Sequence, residues 1–169
     1  MAFIVEDATG LTDAESYISV DDFKAYHKNR GNSITLGGTE IEQKLRLAAE
    51  YIDIRWGKYV PGLPIAEDQA LRFPTDYFIT DPASLPKALI RANAEYGFFA
   101  FSNDLFIDNN RTNGPGIKLL KEKVGPIETE TEWSGSGAGA VGAKYPIVTK
   151  ADALMRQITI GSDQGGVIR

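Results

Sequence analysis

Three glutamates at alternate positions, Glu128, Glu130 and Glu132, form the densest row of potential acid–base or ligand groups in the chain. Residues two apart share a strand face, so the carboxylates take one face while Ile127, Thr129, Thr131 and Trp133 take the other. A divalent ion could bridge such a row, but calcium loops add glycine-shaped turns and carbonyl ligands that this segment lacks. No metal is expected there. His27 is the single histidine and cysteine is absent, so neither a His–His metal pair nor a His–Cys dyad can form within one chain. We expect His27 on a helix surface. Gly137-Ala-Gly-Ala-Val-Gly142 has the spacing of a dinucleotide fingerprint. It follows an acidic strand and runs into Lys144-Tyr-Pro rather than a helix, so it reads as a linker and no cofactor is expected. The chemistry-bearing residues do not compose an enzyme.

The segment that carries the glutamates separates charge by sign. Lys118, Lys121 and Lys123 come first, the glutamates follow, and Gly125-Pro126 lies near the change of sign. It can fold as a hairpin that pairs lysines with glutamates, or stay extended and pair with another copy. The second option would build an oligomer, and Lys118, Lys121, Lys123, Val124, Gly125, Pro126, Ile127, Glu128, Glu130, Glu132 and Trp133 are the expected subunit-interface residues. Turn-forming residues 109–116 precede the segment and glycine-rich residues 134–142 follow it, which suits an arm.

Four helices are expected around this arm. Ser19-Val-Asp-Asp22 opens a short one with Phe23 and Tyr26, which stops at Gly31. Thr39-Glu-Ile-Glu42 reads as a capping box for a longer one, with Ile41, Leu45, Ala48, Ala49, Ile52 and Trp56 at helical spacing. Ser84-Leu-Pro-Lys87 starts a third with Pro86 in its first turn, and Thr149-Lys-Ala-Asp152 caps a last one. Residues 59–80, rich in proline and aromatics, are expected to pack over the core. The expected fold is mainly α: a small helical bundle with an extended β-hairpin or strand arm and a flexible C-terminal tail. Its divisions are a body at 1–116, an arm at 117–133, a linker at 134–144, and a last helix and tail at 145–169.

A length of 169 residues with 43% hydrophobic content supports a real core, and a net charge of −5 argues against a general grip on nucleic acid. Local basic patches remain compatible with that balance. Trp56, Tyr59, Phe73, Tyr77 and Phe78 lie near Arg46, Arg55, Lys58 and Arg72 in sequence, which would suit base stacking beside cations. Their spacing and the neighbouring acids favour a core role instead. Neither a signal peptide nor a membrane span is expected.

Four stretches together resemble a bacteriophage family labelled DnaT-like ssDNA-binding proteins, whose members behave as head-tail adaptors or connectors. They are Glu15-Ser-Tyr-Ile-Ser-Val-Asp-Asp-Phe-Lys-Ala-Tyr26, Ala48-Ala-Glu-Tyr-Ile-Asp53 with Asp68-Gln-Ala-Leu-Arg-Phe-Pro74, Leu85-Pro-Lys-Ala-Leu-Ile-Arg-Ala-Asn-Ala-Glu95, and Lys121-Glu-Lys-Val-Gly-Pro-Ile-Glu128. The resemblance implies a virion protein, assembled in the host cytoplasm. It would form a twelvefold homo-oligomeric ring under the portal protein, extend the channel for double-stranded DNA, and dock a tail or tail-terminator component. Lys121 to Glu128 match the family's interlocking segment. Gln157, Ile158, Ile160, Val167, Ile168 and Arg169 would then face the portal. The competing expectation is a single-stranded DNA-binding replication module.

Overall fold

A computed structural model of the chain describes residues 2–78, 83–106, 119–124, 127–132 and 145–161, the two short stretches at 119–132 by their backbone alone. The protein is mainly helical, with helices α1 (Val20–Lys28), α2 (Gly38–Trp56), α3 (Lys87–Phe99) and α4 (Thr149–Met155). The chain divides into two units, Met1–Leu105 with Ile147–Arg169, and Phe106–Pro146. The last helix therefore belongs with the first three.

In the first unit each helix buries the face its periodicity selects. Ile41, Leu45, Ala48, Ala49, Ile52 and Trp56 of α2 are all buried, as are Leu89, Ala92 and Tyr96 of α3. Ile18, Phe23, Ile41, Leu45 and Ala94 form a core cluster where α1, α2 and α3 meet. Gly97 makes that meeting close, since a Cβ there would stand 2.9 Å from Leu45 Cδ2. α4 packs on α3. The described residues of this unit hold no strand, only the isolated bridges Val5 to Ser16 and Pro64 to Thr75.

The helix ends correct three expectations. α1 starts as read: Ser19 Oγ accepts the Asp22 N–H at 3.1 Å, and the chain turns at Gly31 with φ +81°. α2 starts earlier than Thr39. Its N-cap is Gly37, and Glu40 reaches back to accept the Gly37 N–H at 3.2 Å. α3 has Pro86 rather than Ser84 at its N-cap, with the Pro86 carbonyl accepting from Leu89 and Ile90. At α4 the N-cap is Val148, not Thr149, and no side chain caps it. Asp152, expected to close a capping box, is buried instead and faces Arg55.

Residues 59–78 pack over the core as expected, with Val60, Phe73 and Thr75 buried. Arg72 holds this loop from within, donating to the carbonyls of Gly57 (3.1 Å), Val60 (3.0 Å) and Gly62 (2.7 Å). Asp53 of α2 accepts the Tyr17 phenol at 2.6 Å and the Arg72 N–H at 2.9 Å. Burial nevertheless lifts the Asp53 carboxyl to about 6. A raised folded-state pKa means that the stabilisation is present below the unfolded value near 3.8 and is lost as pH rises through 6. The stability advantage of the wild type over Asp53→Asn is therefore expected to grow by about 2 kcal/mol between pH 8 and pH 4, after allowance for the partly exposed position. Urea melts of both proteins at the two pH values check this, and a gap that does not change refutes it.

In the second unit β1 (Leu119–Val124) and β2 (Ile127–Glu132) pair antiparallel, with Lys121 opposite Glu130 and Lys123 opposite Glu128. Lys118, Gly125, Pro126, Trp133 and the linker at 134–144 lie outside the described residues, as do Val167, Ile168 and Arg169 of the tail.

Candidate nucleic-acid interface

The C-terminal end of α1, the outer face of α3 and the first turn of α4 bring cations and aromatic rings together. Tyr26 sits at the centre. Its phenol donates to Glu95 Oε1 at 2.6 Å, and Lys150 Nζ ion-pairs with that same oxygen. Lys150 Nζ is also 5.6 Å from the Tyr26 ring centroid. Arg30 lies over the ring, its Cζ 3.5 Å from the centroid. The turn at Gly31 ends α1 and lets Arg30 fold back, and Arg30 Nη1 donates to the Tyr26 carbonyl at 2.8 Å.

Beside this stack, Phe98 of α3 is 38% exposed and lies against His27 with ring centroids 4.6 Å apart and 24° between planes. His27 is fully buried, which corrects its expected surface position. Its Nε2 is 3.2 Å from the Ala94 carbonyl and its Nδ1 is 3.4 Å from Asn32 Nδ2. Burial lowers its pKa, so the ring is neutral at pH 7 and backs Phe98 as an aromatic slab. The i, i+4 pairing of Phe23 with His27 on a short helix was the available signal that His27 turns inward.

Charge on this face is predominantly positive. Arg30, Lys87, Arg91 and Lys150 are exposed, and Lys87, Arg91 and Glu95 follow one another at four-residue steps along α3. The hydrogen bond to Glu95 raises the Lys150 pKa and keeps the amine charged. Burial raises that of Tyr26, with Glu95 adding to the effect, so the phenol stays a donor. A guanidinium stacked on a tyrosine offers a flat cation to a nucleobase, and a half-exposed phenylalanine offers a second platform. Lys150 and Arg91 are cations of the kind that can pair with phosphates.

Most of the cluster marked in the sequence around Trp56 is committed to the interior or to internal partners. Trp56 and Phe73 are buried, and Arg55 is paired with Asp152 in the interior. Arg72 is held by carbonyls, and Arg46 pairs with Glu15 at 2.8 Å. Of that set Tyr77, at 65%, and Lys58 are exposed, and Lys58 Nζ lies 4.7 Å from the Tyr59 ring centroid. Of the tail residues, Ile158 is buried, the Ile160 N–H donates to the Tyr59 carbonyl at 2.8 Å, and Gln157 leans on the Ala153 carbonyl. The start of the tail is thus packed against the body rather than free. A cavity of about 300 Å³ beside the N-terminus of α1 is lined by Glu6, Asp7 and Asp22 and by no lysine or arginine, the wrong sign for phosphate. Among the described residues no three His, Asp or Glu side chains are grouped to hold a metal, and no helix is long and apolar enough to cross a membrane.

The model of one protein family, described as "Putative DnaT-like ssDNA binding protein", matches residues 1–169. The chain belongs to this family. No curated protein and no solved structure matches it. The family description names single-stranded DNA as ligand. On that finding the head-tail adaptor reading, with its portal, connector and virion roles, is overturned in favour of the competing expectation.

Proposed function

We propose that the protein is a non-catalytic module that binds single-stranded DNA on the face formed by Tyr26, Arg30, Phe98, Arg91 and Lys150. The observation that carries this reading is the Arg30–Tyr26 stack with Lys150 on the same ring, beside the exposed Phe98. Single strands expose base faces that a duplex hides, and stacking on aromatic or guanidinium planes beside cations is how such strands are held without sequence-specific grooves. The net charge of −5 confines attraction to this patch and limits overall affinity. The β1–β2 segment, with residues from Lys118 to Trp133, is the surface through which we propose copies of the chain associate along a strand.

The test is fluorescence anisotropy of a labelled mixed-sequence oligonucleotide across a salt series. Three or four phosphate contacts predict a slope of log K on log salt of about −2 to −3, at roughly 0.7 per contact for single strands. A duplex of the same sequence should bind more weakly. No binding at low salt, or affinity insensitive to salt, overturns the proposal.

A further inference from the structure

Glu95 is the carboxylate held inside this cationic face, and only one of its oxygens is engaged. Tyr26 and Lys150 both converge on Oε1, while Oε2 receives no hydrogen bond from any described residue. The side chain is 12% exposed, so the free oxygen is held in place rather than dispersed in solvent. Glu95 and Phe98 are i, i+3 neighbours on α3, roughly 5–6 Å apart at Cβ. Phe98 thus lies within one helical turn of Glu95 on the same side of α3.

We infer that Glu95 Oε2 reads the edge of the stacked base and makes the interface selective for bases that carry an exocyclic amine. The inference rests on the single-strand binding reading. A carboxylate accepts and cannot donate, so it pairs with the N4 amine of cytosine, the N6 amine of adenine, or the N1–H and N2 amine of guanine. Thymine has one donor on that edge, N3–H, flanked by two carbonyl oxygens that oppose a negative charge. Tyr26 and Lys150 are what make the carboxylate tolerable beside DNA: they offset its charge, fix its rotamer and leave the second oxygen for the base. Stacking alone gives weaker and differently ordered preferences, because every base has a π-face.

The experiment compares oligo(dC), oligo(dA) and oligo(dT) of equal length as competitors at pH 7.5, for the wild type and for Glu95→Gln. The glutamine keeps the shape and can donate as well as accept, so it pairs with thymine as readily as with cytosine. Expected is a preference of about fivefold to tenfold for oligo(dC) and oligo(dA) over oligo(dT), reduced to less than twofold in Glu95→Gln, whose thermal midpoint stays near that of the wild type. Equal affinities in the wild type, or a preference that survives the substitution, overturns the role of Glu95 while leaving strand binding intact. Absence of binding by all three oligonucleotides overturns the strand-binding reading itself.

Discussion

Replacing Asp152 by alanine is expected to lower the free energy of unfolding by about 3–5 kcal/mol, the range for breaking a buried ion pair by removing one partner. Arg55 donates to both oxygens of Asp152, Nη1 to Oδ1 and Nη2 to Oδ2, each at 3.0 Å. The Tyr96 phenol donates to Oδ1 at 2.5 Å and itself accepts from Trp56 Nε1 at 2.9 Å. The side chains of Arg55 and Asp152 are 8% and 3% exposed, so solvent cannot replace the lost acceptor. Burial opposes the charge on Arg55, but Tyr51, Tyr96 and Asp152 more than compensate and raise its pKa; the guanidinium stays charged and would be stranded in the variant. Burial likewise raises the Tyr96 pKa, so its phenol must donate and would lose its acceptor. Urea denaturation of the two proteins decides the matter, and a loss below about 1 kcal/mol would show that the network is dispensable. Asp152 is also two residues from Lys150, so the same variant should weaken DNA binding by loosening α4 although it touches no strand.

The second large effect is on affinity. Arg30→Ala combined with Lys150→Ala is expected to weaken oligonucleotide binding by about 30- to 100-fold, from one lost stacking plane and two lost phosphate partners. Both side chains are exposed, Lys150 at 56%, so the fold should persist. Arg30→Lys separates the two contributions. It keeps the charge, and with it the salt slope, but loses the planar guanidinium over Tyr26, so affinity should fall by about fivefold on stacking alone. Binding within twofold of the wild type in the double variant would move the interface elsewhere on the molecule.

Local pattern carried most of the helices and little of the interface. The α2 stripe was legible because its apolar residues repeat at 3.6-residue spacing, and Ser19 and Gly31 bracket α1 by short-range geometry. Thr149-x-x-Asp152 misled because the capping pattern is local, whereas the acid is drawn inward by Arg55, 97 residues away in sequence. His27 misled in the same way, since the carbonyl that accepts it lies on α3. The proposed interface combines residues 26–30, 91–98 and 150, three segments that no window along the chain can join. Reading along the sequence instead grouped Arg55 and Arg72 with Trp56, cations that the fold commits to Asp152 and to backbone carbonyls. The family resemblance was correct, while the adaptor role attached to it was not, because residues shared with a family identify kinship more securely than the task.

Arg72 does not hold the loop at 59–78 alone. Gln69 clasps it further, donating to the carbonyls of Leu71 and Pro74, and Asp76 accepts the Leu63 N–H at 2.8 Å. Its path is thus dictated from inside, by groups that hold backbone, while the residues it displays outward, Leu63 at 71% and Tyr77 at 65% exposure, take little part in fixing it. Template and display are separated, so the outward residues can drift without altering the course of the chain. That division makes the side chains of Leu63 and Tyr77 natural positions for grafting foreign recognition residues onto this scaffold.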